Sequence, residues 1–300
     1  MHIITLLPSA TEIVAALGAT GQLVGISHSC DYPAEIGSLP RMTATAVDSH
    51  ASALAIDRQV REIVDTGAPL YTIDEELIRA AKPDVIITQA LCDVCAVSEG
   101  DVRALAAELS PRPHVVTLDG KTIEGVFADI ANVAAAIDAS DEAEELLDGL
   151  RAQLRRIHDT LKAAKAPRPR VAVIEWTDPI FAGGHWVPEM VAKAGGIDVL
   201  AKPGDHSTVV TVDQVRDAKP DTLFVGPCGY DLAGATLAAH ELLARDEWAW
   251  ALDLPLWALD ANGMVSRPGP RLVEGVAAMA AAMHPALFGA PLAQHAVRLA

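Results

Sequence analysis

Aromatic side chains are scarce in this chain: Phe, Trp and Tyr make up 4% of its 300 residues, against 51% hydrophobic overall. The core must therefore be built mainly from Ala, Val, Leu and Ile. Basic residues are also few, 23 Lys and Arg against 40 Asp and Glu, for a formal charge of −17. That balance repels phosphate backbones and anionic lipid, which excludes nucleic acid as a partner and a peripheral role on acidic membranes. No apolar run approaches the ~20 residues of a spanning helix, so no membrane insertion is expected. Four cysteines are too few for a disulfide scaffold. A Gly-x-Ser-x-Gly nucleophile motif is missing, and no enzymatic activity is expected. Met1-His2 leads straight into the first strand with no basic region, apolar stretch or cleavage site. The expectation is a cytoplasmic protein, or a periplasmic one if a leader was removed.

What is present is a repeat. Ile78-Arg79-Ala80-Ala81-Lys82-Pro83-Asp84 returns as Val215-Arg216-Asp217-Ala218-Lys219-Pro220-Asp221. In both copies a helix ends on a basic residue, proline forbids its continuation, and a short apolar strand follows. A second echo pairs Thr11-Glu12-Ile13-Val14-Ala15-Ala16-Leu17-Gly18 with Pro188-Glu189-Met190-Val191-Ala192-Lys193-Ala194-Gly195. The offsets are 137 (215 − 78) and 177 (188 − 11), so the loops between the echoes differ in length.

The fold expected is α/β, with two Rossmann-like lobes of mainly parallel sheet joined by a long helical connector. The N-terminal lobe spans 1–121, with strands at 3–7, 23–27, 85–88 and 114–118; Ser9 and Glu12 have the spacing of a capping box. Residues 122–166 form the connector, with Leu146, Leu147, Leu150, Leu154, Ile157 and Leu161 at helical spacing. A helix starting near Ser140 would carry its acidic residues first and its basic ones last, as the helix dipole favours. Asp138 to Asp141 interrupts or recaps it. The C-terminal lobe spans 167–300, with strands near 171–175, 197–200, 222–226 and 256–259 and a closing alanine-rich helix from about Pro270.

Candidate chemistry gathers at the carboxyl ends of these strands, where doubly wound sheets bind ligands. Cys30, Cys92, Cys95 and Cys228 all fall in such loops. Cys92-Asp93-Val94-Cys95 could form a two-thiolate claw for zinc or an iron–sulfur cluster, with Cys30, Cys228 or His28 completing the set. Redox work by the C-x-x-C pair and unliganded loop thiols are the alternatives. Trp176, beside Glu175, could stack on a flat ligand or cover the sheet edge. Gly183-Gly184 permits close backbone approach before His185 and Trp186. Tyr32 and Tyr230 follow Cys30 and Cys228 by two residues each, as matched aromatic walls. Trp248, Trp250 and Trp257 read as packing residues, and Asp205 and His206 as solvated loop.

Leu6-Leu7-Pro8-Ser9-Ala10-Thr11-Glu12-Ile13-Val14, Leu23-Val24-Gly25 and Ser27-His28-Ser29-Cys30-Asp31-Tyr32-Pro33 resemble the cobalamin-binding members of the periplasmic binding protein superfamily, the class with a helical backbone. The two Ala-Lys-Pro-Asp strand entries and Arg267-Pro268-Gly269-Pro270-Arg271-Leu272 extend the likeness over nearly the whole chain. The resemblance implies two α/β lobes on one long rigid helix, little motion between them, and a corrinoid such as cobalamin, or a related metal chelate, held in the cleft. It also implies that Ser9, Thr11, the 28–33 loop, the 89–96 loop beginning at Gln89, Trp176 and the 226–230 loop face the ligand. An ABC transporter permease is the implied partner, docked through Glu75 or Glu76 and Asp213. The alternative is a metalloprotein whose cleft cysteines hold iron–sulfur or zinc.

Overall fold

The computed structural model describes residues 1–49, 51–90 and 97–299. They fall into two compact units, the first made of residues 1–120 and 124–148, the second of 121–123 and 149–300.

The first unit runs β1 (Ile3–Thr5), α1 (Pro8–Ala16), β2 (Leu23–Ile26), β3 (Thr43–Thr45), α2 (Ala53–Asp65), β4 (Tyr71–Ile73), α3 (Glu75–Ala81), β5 (Val85–Gln89), α4 (Glu99–Glu108) and β6 (His114–Leu118). Its main sheet is fully parallel, in the order β2-β1-β5-β6. β3 and β4 form a separate antiparallel pair. Aliphatic strand residues such as Ile4 and Ile86 pack with Ile78, Val102 and Leu105 from α3 and α4 into one core. The composition demanded such an aromatic-poor interior.

Two helices follow, α5 (Ile123–Ala136) and α6 (Ser140–Ala163). Asp138 lies between them in the left-handed region, at φ 58°, so the helical stretch is broken rather than continuous. The long helix is α6 alone, whose 24 residues span about 36 Å at ~1.5 Å per residue. It buries Ala143, Leu147, Leu150, Leu154 and Ile157, alternating steps of four and three residues that keep one apolar stripe on one face.

The second unit contains β7 (Arg170–Thr177), β8 (Ile180–Ala182), α7 (Val187–Lys193), β9 (Ile197–Asp198), β10 (Thr208–Val209), α8 (Val212–Asp217), β11 (Thr222–Val225), α9 (Leu232–Leu243), β12 (Leu256–Leu259), α10 (Ala261–Met264), α11 (Leu272–Met283), α12 (Pro285–Phe288) and β13 (Ala296–Arg298). Its parallel centre, β9-β7-β11-β12, repeats the first unit's β2-β1-β5-β6 strand for strand. Antiparallel β8, β10 and β13 are added at the margins. The chain thus passes the alanine-rich helix α11 and returns to the sheet in β13. The core here is aliphatic around one aromatic: Trp248 is fully buried among Ala172, Leu223, Leu242 and Leu256, and Trp250 stacks on it with ring centres 5.8 Å apart.

The repeated Lys-Pro-Asp has the same geometry in both units. Lys82 and Lys219 adopt the left-handed region at φ 48° and 49°. Each Asp then accepts from the backbone N–H just before or at the start of the first strand: Asp84 from His2 and Asp221 from Arg170, both at 2.7 Å. The side chains at those two positions, different in kind, do the same work. His2 Nδ1 lies 3.0 Å from the Ala81 carbonyl oxygen, and Arg170 donates to the Ala218 and Lys219 carbonyls. In each case the last carbonyls of a helix, which have no partner within it, are satisfied. The second echo also holds: Gly18 and Gly195 end their segments at φ 72° and 92°, a conformation that favours glycine.

Candidate functional site

In both units the strand order reverses beside the first strand, between β1 and β5 and between β7 and β11. Loops at such a switch diverge and leave a crevice at the carboxyl edge of the sheet. The described candidate residues lie at or next to these two edges.

In the first unit, Pro8 occupies the first turn of α1 and Leu7 is the N-cap, with no side-chain capping bond. The capping box expected of Ser9 and Glu12 is therefore absent. Proline's fixed φ suits the first helical position and starts the helix before Ser9, leaving that serine inside the first turn. Its hydroxyl is buried with no hydrogen-bond partner among the described residues, as is that of Thr88 at the end of β5. Gln89 completes the same strand end and is buried. Thr11 lies deeper, its hydroxyl 2.6 Å from that of Thr5 and 3.0 Å from the Cys30 sulfur.

The loop after β2 is organised by Arg41, which donates to the carbonyls of Ser27 and Cys30 at 3.2 and 2.6 Å. His28 is held from two sides: its ring nitrogen lies 2.8 Å from the Thr43 hydroxyl and its ring stacks on Tyr71 at 5.6 Å. Burial, reinforced by the Arg41 charge, lowers the His28 pKa and favours the neutral ring. Tyr32, by contrast, is 48% exposed. Arg41, Thr43 and Tyr71 were not legible as site residues, because only folding brings the β3–β4 pair beside this loop.

In the second unit, Trp176 and Tyr230 meet edge to face across the switch point, with ring centres 5.6 Å apart. The Cys228 N–H donates to the Glu175 carbonyl, and the Asn262 N–H to that of Tyr230. Trp176 directs its indole N–H to the Asp178 carbonyl at 3.1 Å. Burial, then the Glu241 charge, pushes the Tyr230 phenol up. The Glu175 carboxyl, also raised by burial, accepts from the Gly184 N–H at 3.1 Å and from Ser207. A Cβ on Gly184 would collide with the Ser207 backbone nitrogen, so glycine is required for this close approach.

His185, at φ 53°, is left-handed without being glycine. It is held there by its N–H to the Asp205 carbonyl, at 2.6 Å, and by its carbonyl accepting from the Gly204 N–H, at 2.8 Å. Its ring nitrogen lies 3.2 Å from that of His206. Burial, then the charges of His206 and Lys121, lowers its pKa. Asp205 and His206 are thus structural partners of the site rather than a merely solvated loop. Trp186 is buried beside His185 and donates to the Val265 carbonyl at 2.7 Å. Trp248 and Trp250 pack in the core as expected.

The expected cysteine cluster gains no support among the described residues. Cys30 is buried and engaged with Thr11, whereas Cys228 is exposed; Cys92 and Cys95 lie outside the described residues. No group of three or more His, Cys, Asp or Glu among the described residues could hold a metal. Neither zinc nor an iron–sulfur cluster gains support, because a single buried, hydrogen-bonded thiol offers no tetrahedral set. No helix among the described residues is long and apolar enough to cross a membrane.

The sequence is 24% identical over 282 residues to the vitamin B12-binding protein of Vibrio cholerae, covering 92% of this chain and 86% of that protein. An uncharacterized ABC transporter substrate-binding lipoprotein of Bacillus subtilis is 22% identical over 294 residues, covering 95% of this chain and 81% of that one. Among solved structures, a periplasmic heme-binding protein from Pseudomonas aeruginosa superposes with a TM-score of 0.72 at 20% identity, covering all of this chain and 98% of that one. The periplasmic vitamin B12-binding protein of Vibrio cholerae gives 0.63 at 22% identity, covering 95% and 97%. These two structures share the fold. The sequence profile described as "Periplasmic binding protein" matches residues 3–250, and the chain belongs to that family.

Proposed function

We propose that this protein is the ligand-capturing component of an ABC transporter, acting outside the cytoplasmic membrane on a corrinoid or closely related tetrapyrrole. The observation that carries the reading is the alignment over nine-tenths of the chain to proteins named for binding vitamin B12. The aromatic groups at the sheet edges support it. Trp176 with Tyr230 in one unit and His28 with Tyr71 in the other offer the flat, largely apolar surfaces that a macrocycle needs. Ser9, Thr11, Tyr32 and Gln89 line the first edge; His185, with Trp186 behind it, flanks the second. The lobes are residues 1–121 and 167–300, with 122–166 as the connector.

A permease would dock onto acidic residues at matching places in the repeat. Glu75 and Glu76 begin α3, and Asp213 lies in the first turn of α8. The Glu75 and Asp213 side chains are 60% and 72% exposed.

The test is tryptophan fluorescence of the purified chain titrated with hydroxocobalamin and, separately, with hemin. One-to-one quenching at micromolar or tighter affinity by either is expected. Trp176→Ala should weaken it about tenfold, corresponding to about 1.4 kcal/mol. A folded protein that binds neither probe would end the tetrapyrrole reading.

A further inference from the structure

The two sheets end differently. In the second unit β13 runs antiparallel along the outer side of β12, pairing Val297 with Ala258, and the Leu299 N–H donates to the Leu256 carbonyl at 2.8 Å. The corresponding strand of the first unit is β6. Val115 pairs with Ile86 as Leu256 pairs with Leu223, two residues past the repeated Asp in each case. Among the described residues β6 has no strand on its outer side.

Alternation along the strand fixes which backbone groups stay open there. The His114 N–H donates to the Asp84 carbonyl, and the Leu118 carbonyl accepts from the Ala90 N–H. Residues 114, 116 and 118 therefore address β5, while the N–H and C=O groups of Val115 and Thr117 point outward. These positions match Leu256 and Ala258, which β13 covers. Further along, the Asp129 carboxylate takes the Asp119 N–H and closes the edge. At its other end the edge opens into a depression of about 400 Å³ lined by Arg103, Arg112, Pro113, His114 and Val115. Arg103 is engaged with Glu99 and Thr117. Arg112 is exposed and makes no ion pair among the described residues.

We propose that the outer edge of β6 takes up an extended segment of a partner protein, antiparallel as β13 is on β12, with carboxylates at the segment's C-terminal end. An open row of N–H and C=O groups is a template for such a strand. On β12 the added strand ends, in its chain direction, beside Leu256. Its counterpart on β6 would end beside Val115 and run on towards Arg112, whose guanidinium favours a carboxylate there. A second copy of this chain is the poorer occupant, because each copy carries a net charge of −17. The surface lies along the outer side and amino end of β6, not at the carboxyl edge, so the inference is separate from the tetrapyrrole reading.

The experiment follows backbone amide shifts of the isotope-labelled full chain during titration with a short peptide of alternating threonine and valine that ends in two glutamates. Saturable shifts at Val115 and Thr117 are expected, with a Kd of about 1 mM or tighter, and none at Leu256 and Ala258, whose edge is filled. Arg112→Glu should weaken binding about tenfold, as should lysines in place of the peptide's glutamates. N-methylation of alternate peptide residues separates strand pairing from simple charge attraction: one register should abolish binding and the other spare it. Equal binding by the two methylated peptides, indifference to Arg112→Glu, shifts that map elsewhere, or no binding by the folded chain overturns the proposal. Shifts at Val115 and Thr117 that grow with protein concentration in the absence of peptide would assign the edge to a second copy and overturn it equally. None of these outcomes alters the hydroxocobalamin and hemin titrations.

Discussion

The two α/β units share a centre and differ at their margins. β2-β1-β5-β6 and β9-β7-β11-β12 are the same four-stranded parallel arrangement, each entered through a left-handed Lys followed by Pro-Asp. Between the two echoed segments, however, the first unit spends 67 residues (78 − 11) and the second 27 (215 − 188). The extra length in the first unit holds the β3–β4 pair and α2, which support His28 through Thr43 and Tyr71. The second unit instead inserts the β8 hairpin ahead of α7, which carries Gly184 and His185 to the Ser207 loop. The difference teaches that the strand-entry motif builds the sheet, whereas the insertions decide which side chains its carboxyl edge presents.

The cores differ as well, and the largest predicted effect follows from that. Trp248 is the biggest side chain wholly buried among the described residues, and it lies in the second unit, while the described core cluster of the first is wholly aliphatic apart from Met42 and its flanking Tyr71. Trp248→Ala should cost about 3–5 kcal/mol. Urea unfolding followed by hydrogen exchange should show the loss concentrated in residues 149–299. A uniform loss through both units would mean that they unfold as one.

Each unit also buries one aspartate as a backbone cap. Asp129 accepts from the N–H groups of Asp119 and Gly120, and Asp198 from those of Leu200 and Ala201. Burial outweighs these bonds and pushes both carboxyls up to about 6. Because the folded state holds the proton more tightly than the unfolded state, where the value is about 3.9, stability should fall as pH rises from about 4 to 6 and level off above. Each group should contribute a fall of about 3 kcal/mol at most. Asp129→Asn and Asp198→Asn should each remove its share of that slope in urea titrations from pH 4 to 7. An unchanged slope in one variant would show that only the other unit carries a buried charge.

The smallest effect tests the repeat itself. Asp84→Ala and Asp221→Ala each remove the carboxylate that receives the N–H at the first strand, and each should cost about 1 kcal/mol. Equal losses by urea denaturation would sharpen the equivalence of the two strand entries; losses differing by more than about 1 kcal/mol would break it.

Much of the sheet was legible from the chain alone. Short apolar runs marked β5, β6, β11 and β12 to within a residue, because a buried parallel strand needs a continuous apolar stretch. Ser140 was correctly read as the start of the long helix. The marginal strands β3, β4, β8, β10 and β13 were missed, since two or three residues carry too little periodicity to register. At the candidate sites, Trp176 was visible as an aromatic at a strand end and Tyr230 as the counterpart of Tyr32, but that Trp176 and Tyr230 meet was not. His206 was read as solvent-facing because nothing local distinguishes it; its partner lies 21 residues away.

The sequence by itself determined the two-fold plan: the helix stops, the strand entries and the left-handed glycines are local preferences of Lys-Pro-Asp and Gly, and they act wherever those residues stand. Only the tertiary structure decided which polar and aromatic groups share an edge. Thr11 with Cys30, His28 with Thr43 and His185 with His206 are pairs distant in sequence. Such distances are fixed by how inserted segments pack and by which buried donors must find acceptors, and no local pattern encodes either.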